Sequence, residues 1–254
     1  MKKLLLICTI LITTVAYAQK KNDIKISIFS GVNIATPIGD DMEDYIEDYD
    51  DFLDLYQDTY SNITDADGEV MGRTGMHIGF DLDYFIKDNL AFNSGITYSQ
   101  KGFKQDYDVK GYDSNTLVSF RDKLNVVVKL DYLDIPLGIK FTNFNGFEVK
   151  AGILFCMLVN DKGDIDLDGD NYTLDEDVIK DIDNFEDAFD EEPNSVLTGY
   201  QIGVGYTFNQ RLFIGAKMQQ TSSFGEMNDV ITGSYNDYEE NKNLTYQVSI
   251  GVYL

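Results

Sequence analysis

The sequence predicts an all-β chain folded as an eight-stranded antiparallel up-and-down barrel, and three observations predict it. Apolar residues recur at every second position in eight separate segments, which puts them on one face of eight strands. The connections between these segments alternate short and long, as they do in a meander whose hairpin turns gather at one end. After residue 18 no stretch approaches 18 consecutive apolar residues, so a membrane-spanning helix is excluded while a membrane-spanning barrel is not.

The chain begins with Lys2 and Lys3, an apolar run over residues 4 to 15, and Ala16-Tyr17-Ala18 before Gln19. This is the layout of a secretory signal peptide over residues 1 to 18, leaving one domain over residues 19 to 254. An uncleaved anchor is the alternative, but the run is shorter than the ~20 residues a spanning helix needs. Ile7 is too bulky for a lipobox at Cys8, and with the leader removed Cys156 is the one remaining cysteine, so no intrachain disulfide can form.

The 20 Lys plus Arg against 44 Asp plus Glu give a formal net charge of −24, which excludes a nucleic-acid binder that works by displacing phosphate counterions. With 43% hydrophobic residues, 16 Phe and 17 Tyr, the chain has enough apolar surface to fold.

The strands follow in order. Residues 24 to 35 place Ile24, Ile26, Ile28, Val32 and Ile34 on one parity, with Phe29 out of phase. Residues 76 to 86 oppose Met76, Ile78, Phe80, Leu82 and Tyr84 to His77, Gly79, Asp81 and Asp83, and residues 90 to 99 repeat the pattern. In residues 124 to 141 the apolar parity flips, from Val126, Val128 and Leu130 to Leu133, Ile135, Leu137 and Ile139; one inserted residue near Asp131, a β-bulge, would do this. Residues 147 to 157, 200 to 208, 212 to 219 and 244 to 254 complete the set. Residues 87 to 89, 142 to 146 and 209 to 210 read as turns; residues 36 to 71, 103 to 123, 160 to 195 and 222 to 243 read as long polar loops.

Parity alone does not say which face is the lumen. Gly79, Gly95, Gly138, Gly152, Gly203, Gly205, Gly215 and Gly251 share the non-apolar face with Asp, Lys and Gln. Small residues suit a narrow interior, whereas a water-washed exterior carries long charged side chains more often than glycine, which weakens strands. The apolar face is therefore outward, against lipid, and the barrel is transmembrane with long acidic extracellular loops. A soluble secreted barrel that binds a ligand inside is the competing arrangement.

Several segments resemble the PorT-like family of outer-membrane β-barrels: Gly31-Val32-Asn33, the run from Ser94 to Gly102, Tyr132-Leu133-Asp134-Ile135-Pro136-Leu137, and Ala151-Gly152. The resemblance spans most of residues 24 to 254. It implies an eight-stranded, porin-like barrel in the outer membrane of the cell envelope, with lipid around it and with support of a secretion system among its roles. A departure from such barrels is the final residue, Leu254 after Tyr253, where an aromatic is common.

Eight strands make a barrel just wide enough to be filled by side chains, so an open pore is not expected. Asp81, Asp83, Asp134 and Glu148 face Lys140, Lys150 and Lys217 across the lumen on this parity, as a salt-bridge network or an ion path. His77, the only histidine, adjoins two carboxylates and is the candidate general base if the barrel is an enzyme acting on lipid or peptide. No Ser or Asp partner for it can be fixed from sequence, and the chain is read as non-enzymatic, with no catalytic residues. Cys156 reads as a small lumenal filler.

Residues 36 to 71 hold 13 acidic residues and no Lys or Arg, and residues 160 to 195 hold 15 acidic and two basic ones. Divalent cations are the natural partner of such loops. Asp164, Asp166, Asp168 and Asp170, with Asp175 twelfth, follow the alternate-residue spacing of a calcium loop, although Asp175 replaces the usual bidentate Glu. Calcium is the candidate ligand there; Asp65-x-Asp67-Gly68-Glu69 is a shorter echo. Val178, Ile182, Phe185 and Phe189 have the spacing of a short amphipathic helix. Surface binding, adhesion or envelope assembly, with an unknown protein partner, is the functional expectation.

Overall fold

A computed structural model describes residues 22 to 39, 63 to 112, 119 to 143, 145 to 169, 196 to 223 and 242 to 254. Eight strands form one closed barrel in sequence order, each antiparallel to its neighbours: β1 (Ile24–Ile38), β2 (Ile63–Lys87), β3 (Leu90–Tyr112), β4 (Ser119–Thr142), β5 (Phe147–Gly169), β6 (Val196–Phe208), β7 (Leu212–Ser223) and β8 (Lys242–Tyr253). The seam pairs β1 with β8, Ser27 opposite Tyr253 through Ile38 opposite Lys242.

The outer wall is the apolar one. Ile24, Ile26, Ile28, Met76, Ile78, Phe92, Ile139, Ile153, Val204 and Ile250 are all exposed, while Ser27, Asn33, Asp81, Asp83, Thr97, Lys140 and Gln201 are buried inside. A continuous apolar coat of this extent is incompatible with a water-soluble carrier. From Phe141 to Leu133 the outward residues of β4 cover about 20 Å of height once strand tilt is allowed for, close to the ~25 Å apolar band of a membrane barrel. Tyr206, Phe208, Phe141 and Phe147 ring its lower edge, and Tyr98, Tyr200 and Tyr246 its upper one.

All three expected turns are present. Asn209 and Gln210 both adopt positive φ (48° and 61°), and the Arg211 N–H donates to the Phe208 carbonyl at 3.0 Å, a type I′ turn matched to strand twist. Phe29, out of phase in the sequence, faces the lumen and packs against Phe213, with ring centroids 6.3 Å apart.

The strands differ in length in a way the period-2 segments understate. β1, β6, β7 and β8 run 15, 13, 12 and 12 residues, near the ~9–11 needed to cross a bilayer. β2 to β5 run 25, 23, 24 and 23. The surplus is at the end away from the short turns. Among the described residues β1 pairs with β2 only as far as Arg73 and β6 with β5 only as far as Met157, so a four-stranded sheet stands above the closed stem. Roughly ten extra residues per strand give it a reach of about 30 Å along the strands.

The expected loops are correspondingly shorter. Residues 63 to 71, 103 to 112, 119 to 123 and 160 to 169 are strand, not loop. Asp164, Asp166 and Asp168 lie in β5, opposite Val127, Asn125 and Lys123 of β4. An extended backbone spaces alternate residues about 7 Å apart, where a calcium loop curls them around one ion. Asp170, Asp175, the helix expected near residues 177 to 189, the remaining loop segments and residues 1 to 18 lie outside the described residues.

The bulge expected on β4 is at the expected height but on the neighbouring strand. Asp131 pairs with Asn160 and Tyr132 with Leu158, so the extra residue is Val159 of β5. β4 itself runs on in unbroken register with β3, from Thr97 opposite Asp134 to Phe103 opposite Val128. Its apolar parity flips because the surroundings change, not the backbone: Leu133 points to lipid, whereas Val126, Val128 and Leu130 point inward. A second irregularity lies between Gly72 and His77 of β2, opposite Gly102. Gly102 has φ +119°, and a Cβ there would lie 2.0 Å from the Val128 carbonyl oxygen, so this position requires glycine.

Candidate functional site

The lumen is where the strands bring the charged residues together, and it is layered. At the turn end, the Lys140 ammonium reaches Asp83 at 2.9 Å and Glu148 at 2.8 Å. It also donates to the Tyr253 hydroxyl, which donates to Glu148 Oε2 at 3.0 Å. Asn93 donates to the other oxygen of Asp83 at 2.7 Å. Phe29, Phe213 and Tyr253 form an apolar floor beside this group. Gly205 leaves room for it, since a Cβ there would lie 2.8 Å from Glu148 Oε1.

One layer up, Lys150 pairs with Asp81 at 2.7 Å, and Lys217 lies 5.9 Å over the Phe29 ring. His77 Nε2 and Ser249 Oγ are 2.8 Å apart. Above them Lys101 and Asp134 form a pair at 2.9 Å whose side chains are both 0% exposed. Lys101 also contacts Cys156 Sγ at 3.6 Å and lies 5.2 Å over the Tyr132 ring. An apolar lid closes this layer: Phe103, Val128, Leu130, Tyr132, Leu154, Cys156 and Leu197 are buried together, with Val70 and Leu158 packed against them.

These contacts sort the sequence-derived residues. Asp81, Asp83, Glu148, Lys140 and Lys150 face one another as their parity requires, and Asp134 finds its cation in Lys101. Lys101 and the rim pair Arg73 to Asp131, at 3.7 Å, had been missed. Lys101 and Arg73 lie outside the regular period-2 segments, beside the β2 irregularity, yet Lys101 continues the odd inward parity of Ser99. The two carboxylates near His77 in sequence are each bonded to a lysine, and His77 Nδ1 has no hydrogen-bond partner among the described residues. Cys156 is buried in the lid beside Lys101, a filler position.

On the projecting sheet a second set of ion pairs runs across the strands at the surface. Asp65 meets Lys110 at 2.6 Å, and Arg121 forks onto both oxygens of Asp108. The hydrogen bonds from Arg121 hold the Asp108 carboxyl below the usual carboxylate range. Asp65, part of the shorter acidic echo, is thus a strand residue with a lysine partner. Among the described residues no group of three or more His, Cys, Asp or Glu is gathered to hold a metal.

The family model described as "Outer membrane protein beta-barrel domain" matches residues 17 to 225. No curated protein sequence matches the chain. Among solved structures, the outer membrane protein OprG from Pseudomonas aeruginosa is similar at 10% identity, covering 94% of this chain and 99% of its own, with a TM-score of 0.35. Neisserial surface protein A is similar at 12% identity, covering 90% and 96%, with a TM-score of 0.35. Ail, the attachment invasion locus protein of Yersinia pestis, is similar at 10% identity, covering 91% and 98%, with a TM-score of 0.29.

Proposed function

The chain belongs to the outer membrane protein β-barrel domain family and is an integral protein of the outer membrane, and from that premise we propose that it is a sealed anchor presenting a binding surface outside the cell. The observation that carries this reading is the pairing of a blocked lumen with a raised sheet. Three layers of ion pairs and two apolar clusters fill the stem, so solute has no clear way through. The strands that overshoot the bilayer raise a surface at the end opposite the short turns, which in such barrels is the extracellular end.

The same packing disfavours an enzyme. A Ser–His contact needs a third group to orient the imidazole and a substrate at the hydroxyl, and here His77 is buried against Phe29 with its carboxylate neighbours bonded to lysines. Replacing His77 by Ala is expected to leave any lipase or peptidase activity of purified protein unchanged; loss of such an activity would restore the enzymatic reading.

The direct test is conductance. Purified protein in a planar bilayer is expected to show no steady ion current, and a stable open channel would overturn the proposal. A role in adhesion, or in envelope and secretion assembly as the PorT-like segments imply, is then assigned to the raised sheet and its loops. Calcium at Asp164, Asp166, Asp168, Asp170 and Asp175 belongs to this reading only if the segment leaves its ladder with β4. Calcium-dependent protection from protease would support that, and an unchanged cleavage pattern removes it.

A further inference from the structure

In the middle layer of the stem the cations outnumber the carboxylates. The charged neighbours of Lys217 are Lys150, Asp81, Asp134 and Lys101, which makes three lysines against two acids. Asp81 is held by Lys150 at 2.7 Å and Asp134 by Lys101 at 2.9 Å, so each carboxylate already has its cation. Lys217 makes no hydrogen bond or ion pair among the described residues; what it meets is the Phe29 ring, 5.9 Å from its ammonium group. The layer below supplies no spare acid. There Asp83 and Glu148 share Lys140, and Lys25, 5.6 Å over the Tyr253 ring, faces the same two carboxylates.

Phe29 marks the centre of the group. The Lys150 and Lys217 ammonium groups both lie 5.9 Å from its ring centroid, and the His77 ring lies 6.1 Å from it. With Ser249 donating to Nε2, the neutral imidazole carries its proton on Nδ1, which has no partner among the described residues. Lys217 and His77 thus bring N–H donors to one ring, and neither donor has an acceptor there. There is also room beside them. Lys150 keeps 18% of its side chain exposed and Lys217 is partly exposed although both point inward, whereas Lys101 and Lys140 are closed off. A Cβ added at Gly215, two residues before Lys217, would meet nothing nearer than 3.3 Å, while one at Gly31 would lie 1.9 Å from the Val248 carbonyl oxygen.

We propose that Lys217, with Lys150 and the Nδ1–H of His77, binds a small monovalent anion of the halide class inside the stem. A buried charge has to be paired or give up its proton, and one such anion brings the layer to neutrality. The face of Phe29 attracts ammonium groups but brings no net charge of its own. The site needs neither a sealed lumen nor a binding surface outside the cell, so this proposal and the anchor reading fail separately.

The test follows urea unfolding of the full chain in lipid vesicles by circular dichroism, with chloride exchanged for gluconate, an anion too large for the space, at constant ionic strength. Once chloride exceeds its dissociation constant, each tenfold rise is expected to lower the unfolding constant about tenfold, as binding of one anion to the folded state alone requires. K217M is expected to abolish this slope. D81N, which leaves Lys150 unpaired as well, is expected to shift its onset to lower chloride, and K110Q, which removes an exposed cation of the raised sheet, is expected to keep the slope of the parent. Should K217M fail to fold, crystals of the parent grown in bromide are expected to show a bromide ion between Lys217 and Lys150, located by its anomalous scattering. A parent slope of zero, which a deprotonated Lys217 or a water bridge to Asp134 would give, an unchanged slope in K217M, or no bromide in this layer would each overturn the site.

Discussion

In the stem, β4 turns Leu133, Leu137 and Ile139 outward to hydrocarbon and Asp134 and Lys140 inward; above it, the same strand turns Val126, Val128 and Leu130 inward and Lys129 outward. The backbone does not change register with β3 between the two. What changes is the surrounding solvent. Where lipid lies outside, apolar side chains coat the exterior and ionic groups satisfy one another within; where water lies outside, the pattern inverts. The ion pairs differ in the same sense: Lys101 and Asp134 have no exposure, whereas Lys110 and Asp65 are open to water.

The largest expected effect tests that contrast directly. Lys101→Met leaves the fully buried Asp134 without its cation, and is expected to cost about 3–5 kcal/mol, read from denaturant unfolding in vesicles. Adding Asp134→Leu should recover most of the loss. Arg121→Met on the raised sheet is expected to leave the unfolding midpoint unchanged, and equal losses at the two sites would break the comparison.

Leu130→Ala removes a side chain from the centre of the apolar lid and is expected to cost about 3 kcal/mol. The same variant sharpens the contrast between the regions if it raises ion leak in a planar bilayer, because the lid then separates stem from sheet. Gly102→Ala forces a side chain into a left-handed backbone position against the Val128 carbonyl. A cost of about 2 kcal/mol is expected, with faster proteolysis confined to the raised sheet; cleavage within the stem would show that the two regions are not separable.

The smallest effect is a pH dependence of the sheet. The folded Asp108 carboxyl titrates below its unfolded value near 4 because Arg121 bonds its charged form. Its contribution is therefore present above about pH 4 and fades as pH falls through the lower folded value. Amide exchange near residue 108 is expected to quicken over that acid range, and Arg121→Met should abolish the dependence.

The alternation in residues 76 to 86, 90 to 99 and 244 to 254 made the stem legible, because a strand between lipid and a filled lumen has two unlike faces. Glycine on the second face disclosed which was inside: the space beside Gly205 is taken by Glu148. Above the membrane that logic stops, since β2 to β5 meet water in place of lipid and acidic residues in a strand look like loop. Residues 63 to 71 and 160 to 169 were misread for that reason. Lys101 was hidden by the irregularity at Gly102, whereas Asp83, Lys140 and Glu148 could be placed by parity alone.

The seam between β1 and β8 has a consequence for biogenesis. Ser27 of the first strand acquires its β8 neighbour only when Tyr253 of the last strand has been added, and Tyr253 is also the residue whose hydroxyl joins Lys140 to Glu148. Until then the cylinder is an open ribbon with a greasy side and unsatisfied margins, prone to clump in transit. Closure of the cylinder therefore waits on its last strand, and a product cut short ahead of the last hairpin would be unable to zip shut.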